Sequence, residues 1–271
     1  MPTFTLVGSG AVRANPRRGG TCQALRCAGE TLVIDQGRGA VQGLKNCGFD
    51  LARIDTVFLS HLHFDHVCDL AQLILLSWVY GRTHRLAIYG PPGTREFLEK
   101  GVREAYAMDI ASRLSHGKDP AGMEWDVTEI AREGAFRSTP QYEAQALFTE
   151  HGHLPNINFR FELDGKRIVV TSDTEPSPRL VEFCRGAELL CVECSGTREF
   201  LAAREWGAWH MNPQTVAELA SKAGVKRVVL KHLVIEDWSE DPEICAKLGA
   251  QVRAGFGGEV FVGHDGLALE V

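Results

Sequence analysis

Residues 57–66 read Val-Phe-Leu-Ser-His-Leu-His-Phe-Asp-His, a short apolar run followed by three histidines and one carboxylate. The apolar part predicts a buried strand, and the polar residues begin where that strand must end in a loop. One interpretation is a loop whose histidines are merely solvated. However, imidazole and carboxylate groups are the ligands that zinc, iron and manganese accept. We therefore predict a metal site built from His61, His63, Asp65 and His66.

This segment resembles the H-x-H-x-D-H signature of the metallo-β-lactamase-fold hydrolases. The resemblance implies an α/β fold, a four-layer αββα sandwich, with the site along one edge of its two sheets. It also implies two metal ions: the first two histidines would help to hold one, and Asp65 and His66 the other. In the resembling family, the aspartate that matches Asp35 lies under the metal loop and supports it. A turn aspartate is the alternative interpretation of Asp35.

Length and composition are those of an ordinary globular protein. With 271 residues, of which 44% are hydrophobic and 24% charged, the sequence can bury a substantial core, and we expect one domain over residues 1–271. The formal net charge of −6 argues against a surface that binds nucleic acid through its phosphates. The loop 13–18, which contains three arginines, is the best local basic patch, and a solvated charge cluster is the other interpretation.

The N-terminal residues and the cysteines indicate the cellular compartment. Residues 1–10 have neither a basic start nor an apolar region long enough for a signal peptide, so we expect a cytoplasmic protein that does not bind membranes. Eight cysteines are scattered through apolar runs, which predicts reduced thiols in the core. Cys191 and Cys194 have C-x-x-C spacing, but no second pair follows. A zinc or redox role for this pair is therefore disfavoured.

Three further strand ends carry polar residues that suit a metal: His151, Asp173 and His232 each interrupt a predominantly apolar run. By the resemblance, the ligands would be His61, His63 and His151 for one metal and Asp65, His66 and His232 for the other, with Asp173 bridging them. His153 lies on the same side of its segment as His151, so strand alternation does not decide between these two. The family's pattern favours His151.

This ligand set predicts a metal-dependent hydrolase. Two divalent ions that share a carboxylate and a water lower the pKa of that water until hydroxide is available near neutral pH. Zn2+ is favoured by ligand type, and Mn2+ or Fe2+ also suits such a site. Asp65 would orient the nucleophile as well as bind metal.

Glu193 and His210 resemble the glutamate and histidine that ribonuclease Z relatives pair near the site. A histidine oriented by a carboxylate can donate a proton to the leaving group. The alternatives are a helix-capping role for Glu193 and an ordinary position at a helix N-terminus for His210. The pair is therefore a candidate general acid and its orienting group.

The substrate does not follow from the metal site. Ribonuclease Z usually has a long arm after the strand that follows the third motif, whereas residues 159–173 contain only a tight Asp164-Gly165 hairpin. Together with the acidic charge, this favours arylsulfatase-like and small-ester relatives. We expect a small aromatic or cyclic substrate and no nucleic-acid partner. The alternatives are a ribonuclease Z-like phosphodiesterase acting on RNA and an iron-dependent oxygenase on the same scaffold.

Two surface features are also expected. Apolar side chains would line the mouth of the site, although core packing is the other interpretation for each of them. The candidates are Trp206, Trp209, Met211, Tyr106 and Met108. The least regular segment, residues 107–141, is expected to form a lid or an interface. A homodimer is expected because relatives often pair through the face near the site.

Overall fold

A computed structural model describes residues 1–271, whose fourteen strands form two seven-stranded sheets. The strands are β1 (Thr3–Gly8), β2 (Cys22–Cys27), β3 (Glu30–Ile34), β4 (Thr56–Phe58), β5 (Leu86–Gly90), β6 (Trp125–Glu129), β7 (Gly134–Ser138), β8 (Glu143–Phe148), β9 (Ile157–Leu163), β10 (Lys166–Val170), β11 (Leu189–Glu193), β12 (Arg227–Lys231), β13 (Glu259–Val262) and β14 (Leu267–Glu270). The first sheet has the order β14-β1-β2-β3-β4-β5-β6 and the second β13-β12-β11-β10-β9-β8-β7. Each sheet has a parallel part, β3 to β6 and β10 to β13.

Helices occupy the connections between these strands. They are α1 (Ala40–Asn46), α2 (Phe64–Val67), α3 (Leu70–Val79), α4 (Thr94–Leu98), α5 (Ala107–Ser115), α6 (Pro178–Cys184), α7 (Arg198–Ala202), α8 (Pro213–Ala223) and α9 (Asp241–Gly255). Short 3-10 helices lie at Leu51–Arg53, Pro120–Met123, Glu205–Trp209 and Trp238–Glu240, and a π-helix at Glu99–Glu104. No helix combines the length and the apolar character that a membrane span requires.

Three apolar layers separate the helices and the sheets. Val57 on β4 packs with Leu73 of α3 on the outer face of the first sheet. Its neighbour Phe58 points the other way and joins Phe159 of β9 in the layer between the sheets, as alternation along a strand requires. A third layer, which includes Leu219 of α8, covers the outer face of the second sheet. The predicted four-layer αββα sandwich is confirmed.

Helix α8 illustrates how local sequence sets an element boundary close to the site. The side chain of Asn212 accepts hydrogen bonds from the backbone N–H groups of Gln214 and Thr215, and Thr215 Oγ1 accepts one from the Asn212 N–H. Pro213 occupies the first helical position, where its missing N–H has no cost. Gly224 ends the helix with a φ of 65°, which glycine adopts without strain. These caps fix the segment that precedes the helix.

The loop between β1 and β2 is tied to α9 by a buried ion pair. Arg18 Nε donates to Asp241 Oδ2 at 2.6 Å and Arg18 Nη2 to Asp241 Oδ1 at 2.8 Å. Arg18 Nη1 also donates to Ser9 Oγ at 2.7 Å. Arg18 is therefore a structural residue, and only Arg13 and Arg17 remain as exposed cations of the predicted basic patch.

Two predictions about connections have different outcomes. The hairpin between β9 and β10 is confirmed, with Asp164 and Gly165 at φ of 50° and 70°. Two consecutive residues with positive φ are characteristic of a type I′ turn. The prediction that residues 107–141 are irregular is wrong, because they contain α5, β6 and β7.

The two cysteines of the C-x-x-C segment point in different directions. Cys191 belongs to the layer between the sheets and Cys194 to the layer under the helices of the second sheet. Burial raises the pKa of the Cys191 thiol to about 12, and burial raises that of Cys194 as well. Two thiols on opposite faces of one strand cannot hold the same metal ion.

Candidate metal centre

Four strand ends meet at one edge of the sandwich, where all seven predicted ligands lie. β4 leads into the loop 59–63, while β8, β10 and β12 point their carboxyl ends to the same edge of the second sheet. Groups whose ligand atoms lie within 4.8 Å of one another include His61, His63 and His151; His61, His66 and Asp173; and Asp65, His66 and His232; two further groups contain His210. Parallel strands thus collect residues that are up to 171 positions apart in the sequence, from His61 to His232.

One part of the cluster consists of imidazole rings only. His61 Nε2 lies 2.9 Å from His63 Nδ1, and the His151 ring centroid lies 5.2 Å from that of His61 and 5.1 Å from that of His63. Burial, with a contribution from His66, holds the pKa of His61 well below its usual range, and burial also lowers the pKa of His151. Neutral imidazoles are the form that binds a metal.

The other part mixes imidazole and carboxylate. His232 Nε2 lies 3.5 Å from Asp65 Oδ2, and His66 Nε2 lies 3.9 Å from the same oxygen. Asp173 Oδ2 is 3.1 Å from His232 Nε2, 3.4 Å from His66 Nε2 and 3.8 Å from His151 Nε2. Asp173 therefore lies between the two parts of the cluster.

Buried polar atoms without hydrogen-bond partners test whether this set suits a metal. His66 Nε2, His232 Nε2, Asp173 Oδ1 and His151 Nδ1 are all buried and unpartnered. Leaving one such atom unsatisfied costs about 1–3 kcal/mol, so several in one cavity call for a ligand. A divalent cation accepts electron pairs from nitrogen and carboxylate oxygen alike. The residues present thus fit a divalent metal.

Asp35 supports the loop from below. Its Oδ2 lies 2.9 Å from His66 Nδ1, and its two oxygens accept hydrogen bonds from the Ser60 N–H at 2.8 Å and the Ser60 hydroxyl at 2.9 Å. Burial opposes a charge on His66, but Asp173 and Asp35 outweigh it and raise its pKa to about 10. The contact predicted between Asp35 and the ring of a candidate ligand is present.

Two of the four non-glycine residues with positive φ lie at this edge. Asp35 has a φ of 58° and His232 a φ of 55°. Residues other than glycine rarely adopt this left-handed conformation, and those that do cluster at functional sites. The surrounding sheets hold both residues in this conformation despite the cost in backbone strain.

Small polar residues that the sequence analysis did not single out complete the surroundings of the cluster. Ser172 Oγ lies 3.2 Å from His61 Nδ1 and donates to Asn156 Oδ1. Asn156 Nδ2 in turn donates to the Asp173 carbonyl at 2.7 Å. The available signal was position, because Ser172 follows β10 and Asn156 precedes β9 directly, as the predicted ligands adjoin their strands.

The structure brings Glu193 and His210 together. Glu193 Oε1 lies 3.2 Å from His210 Nδ1 and accepts a hydrogen bond from the Thr174 N–H at 2.9 Å. Ser195, also missed, donates its hydroxyl to Glu193 Oε2 at 2.7 Å and lies 3.1 Å from His232 Nδ1. Burial opposes the charged ring, but Glu193 outweighs it and raises the pKa of His210 to about 9. The pair therefore has the geometry of an oriented proton donor.

Of the two histidines near the end of β8, only one joins the cluster. His151 is buried, and its ring packs against those of His61, His63 and His210. His153 is exposed and belongs to none of the metal-binding groups. This geometry favours His151 over the alternative.

The cluster opens into a cavity of about 300 Å3. Candidate ligands and His210 form one part of its lining, and Val12, Phe64, Trp206, Trp209 and Val234 form the rest. Trp206 and Trp209 therefore lie where the sequence predicted them. Met211 does not, because it is fully buried in the core of the second sheet, and neither Tyr106 nor Met108 lines this cavity.

Known proteins show which family shares this arrangement. The model of the beta-lactamase superfamily domain matches residues 31–233. Ribonuclease Z of Mycobacterium marinum is 32% identical over 293 aligned positions that cover 100% of this chain and 99% of the relative. The chain belongs to the beta-lactamase superfamily. As a member, it is a metal-dependent hydrolase, and its fold is one that typically binds divalent metals.

Solved structures confirm the superfamily's metallo-β-lactamase fold. The metallo-beta-lactamase fold protein YhfI from Bacillus subtilis superposes with a TM-score of 0.78 at 20% identity, covering 100% of this chain and 99% of its own. The short form of human tRNase Z gives 0.76 at 23% identity and covers 99% of both chains. At these identities the match concerns the fold alone.

The expectation about the substrate is wrong. The sequence analysis favoured a small molecule over nucleic acid and kept a phosphodiesterase acting on RNA only as an alternative, whereas the superfamily relatives are ribonucleases by name. The missing arm and the net charge bear on how the protein binds the parts of a substrate that lie away from the metal site. They do not determine which bond the metal centre cleaves.

Proposed function

We propose that the chain is a metal-dependent phosphodiesterase that cleaves RNA. The observation that carries this proposal is the end-to-end match to Ribonuclease Z at 32% identity, together with a histidine and carboxylate cluster that spans both sheets. An iron-dependent oxygenase has less support, because the family match is to hydrolases. The reaction class is therefore hydrolysis of a phosphodiester.

We assign two metal positions to the cluster. His61, His63 and His151 would hold one ion, Asp65, His66 and His232 the other, and Asp173 would contact both. The unpartnered atoms on His66, His232 and Asp173 support this assignment. Zn2+ is the metal preferred by these ligand types, and Mn2+ or Fe2+ is accepted as well.

Side chains of the protein would orient the attacking water and protonate the leaving group. When bound, the divalent ions supply Lewis acidity and a hydroxide nucleophile near neutral pH. Asp65 would accept a hydrogen bond from the attacking water and orient it toward the phosphorus. His210, with Nδ1 held by Glu193 at 3.2 Å, keeps Nε2 to protonate the departing oxygen. The Glu193 carboxylate favours the charged, proton-donating form of this ring.

The test is cleavage of a structured RNA with a single-stranded 3′ trailer by protein loaded with Zn2+ or Mn2+. Chromogenic esters, lactones and sulfates serve as competing substrates. We expect RNA cleavage that is lost with chelator and lost in His63→Ala and Asp65→Ala, whose far-UV spectra should match the parent protein. Turnover of an ester or lactone without RNA cleavage would overturn the proposal.

A further inference from the structure

Two aromatic side chains on the wall of the metal-centre cavity are exposed to water. Phe64 is 66% exposed and Trp209 is 44% exposed. Isolated exposed apolar residues are common on protein surfaces, but these two line the same cavity as the candidate ligands. Both side chains therefore expose apolar surface beside the candidate ligands, where a substrate would bind.

Each ring is adjacent in sequence to residues of the candidate site. Phe64 is the first residue of α2 and stands between His63 and Asp65, two of the candidate ligands. Trp209 ends the Glu205–Trp209 helix and immediately precedes His210. One ring follows β4 of the first sheet and the other follows β11 of the second. The rings thus reach the cavity from the two different sheets.

Trp206 differs from these two rings because protein groups already cover it. Its ring meets the His210 ring edge-on, with centroids 5.3 Å apart and planes at 88°, and it packs against Phe200 at 6.1 Å. The Arg204 guanidinium lies 5.9 Å from its centroid. Trp206 therefore supports His210, which leaves Phe64 and Trp209 as the rings free to bind a ligand.

We infer that Phe64 and Trp209 hold the RNA strand by stacking on the nucleobases next to the scissile phosphodiester. The inference rests on the proposed RNA cleavage and adds the residues that bind the bases. Aromatic rings stack on any base, since every base has a π-face, and this interaction does not depend on basic residues.

The test pairs protein variants with substrates that lack one base. RNA with an abasic nucleotide on either side of the scissile bond should have a kcat/KM lower by about tenfold in the parent enzyme, a typical effect for one stacked base. Phe64→Ala and Trp209→Ala should each lower cleavage of intact RNA by a similar factor. Each variant should then lose most of its sensitivity to one of the two abasic positions.

Further variants separate stacking from a structural effect. Phe64→Tyr should retain full sensitivity to the missing base, whereas Phe64→Leu, which keeps apolar bulk without a flat ring, should not. Trp238→Ala is the matched control, because Trp238 is 47% exposed but does not line the cavity. If both alanine variants keep the parent's abasic penalty, the inference is wrong while the proposed function stands. If the parent cleaves no RNA, both are wrong.

Discussion

At the scale of single residues, Ser195 connects the candidate proton donor to the metal cluster. Its hydroxyl donates to Glu193 Oε2 and lies 3.2 Å from His210 Nδ1 and 3.1 Å from His232 Nδ1. Groups that orient a ligand histidine typically contribute 10- to 100-fold to metal affinity or activity. We expect Ser195→Ala to lower both kcat for RNA cleavage and metal affinity by about tenfold. Steady-state kinetics and competition with a chromogenic chelator measure the two effects.

Ser112→Ala is the control for this prediction, because Ser112 is exposed on α5, away from the cavity. Both variants should keep the parent's thermal midpoint to within a few degrees. A Ser195→Ala enzyme with the parent's kcat and metal affinity would show that the hydroxyl only fills space.

The residues of the candidate metal site were predictable because their signal is local. His61 and Asp173 adjoin apolar runs that had to be strands, and a polar residue at such a point stands out in the sequence. Ser195 and Asn156 carry no comparable signal. Serine and asparagine are common in loops for reasons of turn geometry, and their contacts with Glu193 and with the Asp173 carbonyl exist only after the second sheet has formed.

At the scale of secondary-structure elements, tertiary contacts place a helix boundary where the sequence pattern predicts none. The apolar positions Leu70, Leu73, Leu75 and Leu76 predict one helix over residues 66–80. The structure instead has α2 and α3 with a break between them. At the break, the Asp69 N–H donates to the Gln36 carbonyl at 2.9 Å, a contact with the strand-end segment that carries Asp35. Strand β7 gives a weak signal because its side chains are exposed or half-buried and do not alternate. Strand β6 was missed although Trp125 and Val127 alternate with polar residues.

The pairing of the β1–β2 loop with α9 predicts an acid-sensitive contribution to stability. The Arg18 guanidinium outweighs the opposing effect of burial and lowers the pKa of Asp241. Because the folded-state pKa lies below the unfolded one, this contribution is complete above about pH 4 and is lost as the pH falls through the folded-state value. Asp241→Asn should therefore cost about 3 kcal/mol at pH 7, and the difference from the parent should shrink below pH 4. Urea unfolding across this pH range measures it.

Asp126→Asn is the matched control for Asp241→Asn. Asp126 also pairs with an arginine, Arg85 at 2.8 Å, but both side chains are at least half exposed. Exposed pairs contribute only about 0–1 kcal/mol, so this variant should unfold like the parent at each pH. An Asp241→Asn protein that is equally destabilised at pH 7 and pH 3 would contradict the ionic origin of the effect.

At the scale of the whole molecule, net charge was a poor guide to the substrate. Many arginines are already paired with carboxylates on the surface, for example Arg113 with Asp109 and Arg179 with Glu133. The overall value of −6 therefore says little about the potential inside one cavity. The fold, in contrast, was predictable because the motif of residues 57–66 resembles the signature of a family with this αββα sandwich.

The metal cluster also joins the two sheets, so metal binding should stabilise the whole chain. His61 and His66 follow β4 of the first sheet, whereas His151 and His232 follow strands of the second. A ligand that binds only the folded state adds about 2.7 kcal/mol at 100 times its Kd. For a chain of this size, that corresponds to a rise in Tm of about 5–10 °C. Scanning calorimetry of metal-loaded and chelator-treated protein measures it.

Histidine variants show whether this stabilisation comes from the cluster. His63→Ala should lose much of the metal-dependent rise in Tm, because it removes a candidate ligand. His63 is exposed, so its loss leaves the core intact. His264→Ala removes an exposed histidine outside every metal-binding group and should keep the full rise. Equal Tm values for loaded and chelator-treated parent protein would mean that the two sheets hold together without metal. The unpartnered atoms of His66, His232 and Asp173 would then need another explanation.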